Sequence, residues 1–160
     1  MRYLTTICIL CLAVSACTSP VDHESDPVAT EEVSTIPIFH TSHEPRKAEA
    51  PFSDVVQVGN LYFLSGQIGM DHSTRTMVEG GIEAETRQVL ENIKAVLAQH
   101  ELEMGNVVKA LVVLDDIEDF AAFNAIYREY LPQKPARTTF AAEALAAGAK
   151  IEIEVIAVKP

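Results

Sequence analysis

Cysteine is absent from residue 18 onward: Cys8, Cys11 and Cys17 all lie in the first 17 residues. The body of the chain therefore has no disulfide, no thiolate nucleophile and no cysteine metal site. No GxGxxG and no P-loop occurs, so no motif calls for a nucleotide. Basic residues are scarce. Twelve Lys and Arg face 23 Asp and Glu, a formal charge of −11. So acidic a chain lacks the electrostatic footprint of sequence-independent nucleic-acid binding. There is no internal repeat. A run of about 20 apolar residues, enough to cross a bilayer, is also missing.

What is there begins with an address. Arg2 precedes a short apolar run from about Leu4 to Val14, which has the length of a signal-peptide core. The run ends in Val14-Ser15-Ala16-Cys17, which resembles the lipobox of bacterial lipoproteins. That resemblance implies cleavage after residue 16 and a lipid on Cys17; the alternative is an ordinary secretory signal cut near Ala16. Durable anchoring needs more than one acyl chain. Thr18 in place of Asp resembles the outer-membrane sorting pattern, so the expected location is the cell envelope, facing the periplasm where the host has two membranes. Residues 17–47 are rich in Ser, Thr, Pro, Glu and Asp, and Pro20, Pro27, Pro37 and Pro45 oppose a helix. They are expected to form a disordered, lipid-anchored tether. His40 and His43 lie in that segment, and no metal site is expected from them.

The folded domain is expected over 48–160. Two β-rich runs, Val55 to Val58 and Leu61 to Ser65, flank Gly59-Asn60, a hairpin signal. The stretch from Asp71 to Gly81 is polar and is expected to be a loop. Ile82 to His100 carries an apolar stripe of helical period through Val89, Leu90, Ile93, Val96 and Leu97. Val107 to Leu114 is a strand. Asp116 is placed to cap a second helix running to about Leu131. Asp115, Asp116, Glu118 and Asp119 suit the positive end of that helix better than a cation clamp. Ala136 to Ala142 and Ile151 to Val158 are the last strands. The order β-β-α-β-α-β-β is an α+β layout, one sheet with two helices on one face.

The last strand poses the functional question. In KIEIEVIAV, Lys150 to Val158, side chains alternate between faces. Ile151, Ile153, Val155 and Ala157 form a core face. Glu152 and Glu154 share the other with Ile156 and Val158. Two helices cover only one side of a sheet, so Ile156 and Val158 call for a partner subunit. Glu152 then lies near an interface, where an unpaired carboxylate costs several kcal/mol and calls for a cation or ligand. The plainer alternative has both glutamates facing water at the rim. Arg137, in KPARTTF, offers a planar fork for a carboxylate. It either pairs with Glu152 or holds a ligand beside it; pattern alone leaves both open.

Pro135-Ala136-Arg137, the run Lys150 to Glu154 with Ile156-Ala157-Val158, Ser65-Gly66-Gln67-Ile68, and Phe120, Asn124 and Tyr127 together resemble the RidA (reactive intermediate deaminase) family. The resemblance implies a chorismate-mutase-like fold, assembled as a homotrimeric barrel with clefts between subunits. It implies hydrolysis of 2-imino acids and their 2-enamine tautomers to 2-keto acids and ammonia, with no metal or cofactor. Arg137 would bind the substrate carboxylate and Glu152 would position the attacking water. Thr138, Thr139, Phe52, Ser65 and Asn124 would join the substrate site. Two departures stand out. Thr139 lies where many members have cysteine. Ala50-Pro51-Phe52 replaces Gly-Pro-Tyr, so the ring is kept and the hydroxyl lost. A non-catalytic carboxylate-binding module and a holdase of the same fold are the rival functions.

Overall fold

In a computed structural model of the chain, residues 36–42, 44, 47 and 49–160 are described. The expected signal peptide and Cys17 lie outside them. The alternation in KIEIEVIAV builds the centre of the molecule. The strand β8 (Ile151–Val158) buries Ile151, Ile153, Val155 and Ala157 almost completely. It is flanked by β3 (Leu61–Ile68) and β6 (Val107–Leu114), both antiparallel to it. Beyond β3 come β2 (Val55–Val58) and then β1 (Ile38–His40). Beyond β6 comes β7 (Ala136–Ala141), the one parallel neighbour. The six-stranded order is thus β1-β2-β3-β8-β6-β7.

Two helices cover one face. The apolar stripe read from the sequence is the buried side of α1 (Gly81–Ala98). Phe123, Ile126 and Tyr127 are the buried side of α2 (Phe120–Tyr130). Together with the inward residues of the sheet they make a single core. No described helix is long and apolar enough to cross a membrane.

Three expectations need correction. The segment expected to be tether is not all tether: Ile38–His40 pairs with Val55 to Gln57, and His40 packs edge-on against His100 with ring centroids 4.6 Å apart. Three residues with one alternation give too weak a signal to see among prolines. The polar loop after Asp71 contains a small hairpin, β4 (Met70–Asp71) against β5 (Thr76–Met77). Asp116 caps a 3-10 turn at Ile117–Asp119, accepting from the Glu118 N–H at 2.9 Å, and α2 starts only after it.

No described helix covers the sheet's other face, which carries rows rich in apolar side chains. Register places Phe39, Val56, Phe63 and Ile156 in one row across β1, β2, β3 and β8. Ile68, Glu152, Val113 and Phe140 form a second row, from β3 through β8 and β6 to β7. Phe39, Phe63 and Phe140 are all exposed. The expected partner-seeking face therefore exists, and Glu152 stands on it.

Candidate functional site

Glu152 is positioned by its strand and by the neighbour that makes room for it. β3 changes register between Leu64 and Gln67, a bulge at Ser65-Gly66. A Cβ at Gly66 would collide with the Glu152 carboxyl oxygen, so only glycine lets that carboxyl group lie over β3. The start of β8 is fixed from below: the buried Glu85 of α1 accepts from the Lys150 N–H at 2.7 Å. Burial raises the pKa of Glu85, and that hydrogen bond opposes the rise. Asn92, also buried, donates to the Ile68 and Met70 carbonyls at 3.2 and 2.9 Å, which ties the end of β3 to α1.

The Glu152 carboxyl group opens into a cavity of ≈ 230 Å³, whose apolar lining is Phe52, Ile68, Met70 and Ala146. Burial pushes its pKa above the ordinary value, and Glu154 on the same strand adds to the rise. A carboxyl group shifted in this direction holds its proton to higher pH than an exposed one, which suits general acid–base work.

Phe52 and Ser65 belong to the same end. The Ser65 hydroxyl donates to the Ser53 carbonyl at 2.7 Å, and its N–H donates to the Asp54 carbonyl at 3.0 Å. Ser65 thereby holds the loop that presents Phe52. Phe52 is 57 % exposed. Its ring borders both the Glu152 cavity and an adjoining one of ≈ 480 Å³ with Ser65 and Phe39.

Arg137 lies elsewhere. It is level with Ala110 on β6, and Ala110 is level with Val155 on β8. Both of those residues face the helices, and so does Arg137. Its Nη1 donates to Asn124 Oδ1 at 2.9 Å. Its guanidinium stands 4.7 Å from the Tyr127 ring centroid, 5.3 Å from Phe123 and 5.7 Å from Phe120. Each such cation–π contact is worth about 0.5–2 kcal/mol. Burial raises the Tyr127 pKa, and the Arg137 charge opposes it. Arg137 and Asn124 border a cavity of ≈ 640 Å³ with Tyr127, Leu131, Lys134 and Pro135. One guanidinium donor is committed to Asn124, and a hydrogen bond from the guanidinium also acts on the Tyr127 hydroxyl.

A direct Arg137–Glu152 pair within one chain is therefore ruled out. β6 separates their strands, and they point to opposite faces of the sheet. The two threonines divide in the same way. Thr138 faces the open side, where its hydroxyl accepts from Lys109 Nζ at 3.1 Å. Thr139 faces the helices, and its buried Oγ1 has no hydrogen-bond partner among the described residues. No group of three metal-ligating side chains converges among the described residues.

Sequence reasoning named Gly66 as part of a motif and as the start of a turn, not as the space within β3 that admits Glu152. It also missed a charged cluster beside Glu152. Glu44 Oε1 lies 2.7 Å from His72 Nδ1 and 3.2 Å from Lys47 Nζ, and Glu44 Oε2 lies 3.7 Å from Arg75 Nη1. No sequence signal links these residues, because they come from two loops far apart in the chain.

Residues 41–159 match the family model described as Endoribonuclease L-PSP. Protein DfrA of Myxococcus xanthus is 44 % identical over 123 residues, covering 75 % of this chain and 93 % of that protein. The 2-iminobutanoate/2-iminopropanoate deaminase of Capra hircus is 41 % identical over 123 residues, covering 76 % of this chain and 89 % of that one. Among solved structures, RidA from an Antarctic Psychrobacter is 36 % identical with a TM-score of 0.67, covering 75 % and 94 % of the two chains. The YjgF gene product of E. coli is 32 % identical with a TM-score of 0.70, covering 77 % and 99 %. The mixed sheet under two helices is accordingly the chorismate-mutase-like α+β fold of these neighbours, and the chain belongs to the RidA/L-PSP family.

Proposed function

We propose that this protein hydrolyses 2-imino acids and their 2-enamine tautomers to 2-keto acids and ammonia. The site would be completed by two copies of the chain within a homotrimer. The observation that carries the proposal is the division of labour between faces. A raised-pKa carboxyl group stands on a sheet face that no described helix covers, and a guanidinium held by Asn124 stands on the other side. Packing the open faces of three copies against one another buries the Phe39–Ile156 row and brings Glu152 of one copy to the Arg137 edge of the next. Relatives named as deaminases at about 40 % identity support the same chemistry.

In that site Arg137 grips the substrate carboxylate with its fork, which fixes the imine carbon relative to Glu152. With the imine nitrogen protonated, Glu152 accepts a proton as a water oxygen bonds to the imine carbon, giving a neutral carbinolamine. It returns that proton to nitrogen, and as the C–N bond breaks it takes up the hydroxyl proton, so that ammonia leaves behind the 2-keto acid. Thr139 shares the helix-facing side of β7 with the fork, Thr138 faces the open side with Glu152, and Asn124 holds the fork. Phe52 supplies an apolar lid, and Ser65 fixes the loop that carries it.

An amino-acid oxidase generating imine in the presence of semicarbazide tests the proposal. The domain should slow semicarbazone formation, and Arg137→Ala and Glu152→Gln should each weaken the effect at least tenfold. No effect with the wild type, together with saturable 2-keto acid binding, would instead favour a carboxylate-binding module. Endoribonuclease activity gains no support from a chain of net charge −11.

The proposed setting is the cell envelope, through a lipid on Cys17. Labelled fatty acid should enter the wild-type chain and not Cys17→Ser; equal labelling of both would exclude the anchor.

A further inference from the structure

The cavity that holds Glu152 has a second, cationic part: Lys47, His72 and Arg75 line it along with Phe52, Ile68, Met70 and Ala146. Lys47 comes from the loop after β1, and His72 and Arg75 come from the turn between β4 and β5. Glu44 and Asp54 are the anions of the cluster, and neither borders the cavity. They hold the cations in place while the cations face inward.

Arg75 is the informative member. Its φ is +62°, left-handed backbone that costs a non-glycine residue roughly 1–2 kcal/mol. The turn is otherwise well made. Asp71 Oδ1 accepts from the Ser73 N–H and hydroxyl at 2.7 and 2.6 Å, and the Asp71 carbonyl accepts from the Arg75 N–H at 2.8 Å. Glycine would satisfy such a turn without strain. What arginine adds is a guanidinium. It makes no hydrogen bond among the described residues, and its ion-pair distance of 3.7 Å to Glu44 is beyond hydrogen-bond reach. Lys47 divides itself between Glu44 at 3.2 Å and Asp54 at 3.8 Å. His72 stays uncharged near neutral pH, because burial and the neighbouring Lys47 push its pKa down against the pull of Glu44.

We infer that Arg75, assisted by Lys47, binds a second carboxylate on the substrate side chain, so that the preferred substrates are imines of acidic amino acids. The inference rests on the deaminase function and names its substrate class. The α-carboxylate goes to Arg137 of a second copy, the methylene stem lies along Ile68, Met70 and Phe52, and the distal carboxylate meets the Arg75 fork. Charged hydrogen bonds of this kind discriminate far better than methylene packing, because an uncharged side chain leaves the guanidinium unpaired.

The test compares imines of equal chain length made by oxidation of glutamate and of norvaline. The wild type should favour the glutamate imine by about tenfold or more in kcat/KM. Arg75→Gly, which suits the positive φ and should fold, should lower the glutamate-to-norvaline ratio by a similar factor. Calorimetry with 2-oxoglutarate and 2-oxopentanoate reads the same preference without turnover, and Arg75→Gly should erase it. Turnover of the norvaline imine with an unchanged ratio in Arg75→Gly would overturn the inference and leave the deaminase function standing. Turnover of neither imine would overturn the deaminase function. In that case, Arg75-dependent binding of 2-oxoglutarate would still support the dicarboxylate site, and its absence would remove both.

Discussion

The two charged groups that define the candidate site are treated in opposite ways by the fold. Arg137 is surrounded by support: an amide oxygen at 2.9 Å and three aromatic rings within 5.7 Å of its guanidinium. Its charge is permanent and its position is set. Among the described residues no cation lies within hydrogen-bonding reach of Glu152, and its pKa is raised chiefly by burial. One group is built to hold a fixed charge and the other to change its charge. The proposed binding and proton transfer would need those two properties, and the fold places the two groups on opposite faces of the sheet within one chain.

The largest break in this comparison should come from Glu152→Gln. Loss of the proton-transfer group should lower kcat by roughly 10²–10⁴-fold and flatten the pH profile. Residual activity with an unchanged profile would assign the proton transfer elsewhere. Arg137→Ala should cost less, on the order of 10–10²-fold in kcat/KM, and mostly through KM. Its pH profile should keep the wild-type shape, because the titrating group is still present.

Gly66→Ala sharpens the comparison from the other side. The added methyl group must displace the Glu152 carboxyl group, and a shift of about 1 Å there should lower kcat by at least tenfold while leaving substrate-carboxylate binding intact. Full activity in this variant would show that the carboxyl position is unimportant. The smallest effect is on stability. A carboxyl group whose folded pKa is raised makes the folded state bind more protons than the unfolded one above the ordinary value of 4.5, so stability falls as pH rises from there through the folded pKa. Glu152→Gln should therefore raise Tm at neutral pH, with the gain vanishing near pH 4.5 or below. A lower Tm at neutral pH would contradict the raised pKa.

How far the sequence reached depended on whether the signal was local. Strict alternation in KIEIEVIAV placed Glu152 on the open face, and the helical stripe through Val89, Ile93 and Leu97 gave α1. The burial of Thr139 and the contact between Arg137 and Asn124 were not legible, because both depend on β7 joining β6 rather than β8. That crossover leaves no mark in a periodicity. The space at Gly66 needed the bulge in β3. The cluster of Glu44, Lys47, His72 and Arg75 needed a loop within the expected tether to fold back beside a turn read only as polar.

Subunit complementation between Arg137→Ala and Glu152→Gln, read at low substrate concentration where each variant alone is impaired, tests the central claim most directly. Co-expressed and purified as mixed oligomers, they should regain activity at about a quarter of their sites, where the intact arginine of one copy faces the intact glutamate of another. Mixed oligomers that form, as mass spectrometry would show, yet recover no activity would contradict a site shared between copies.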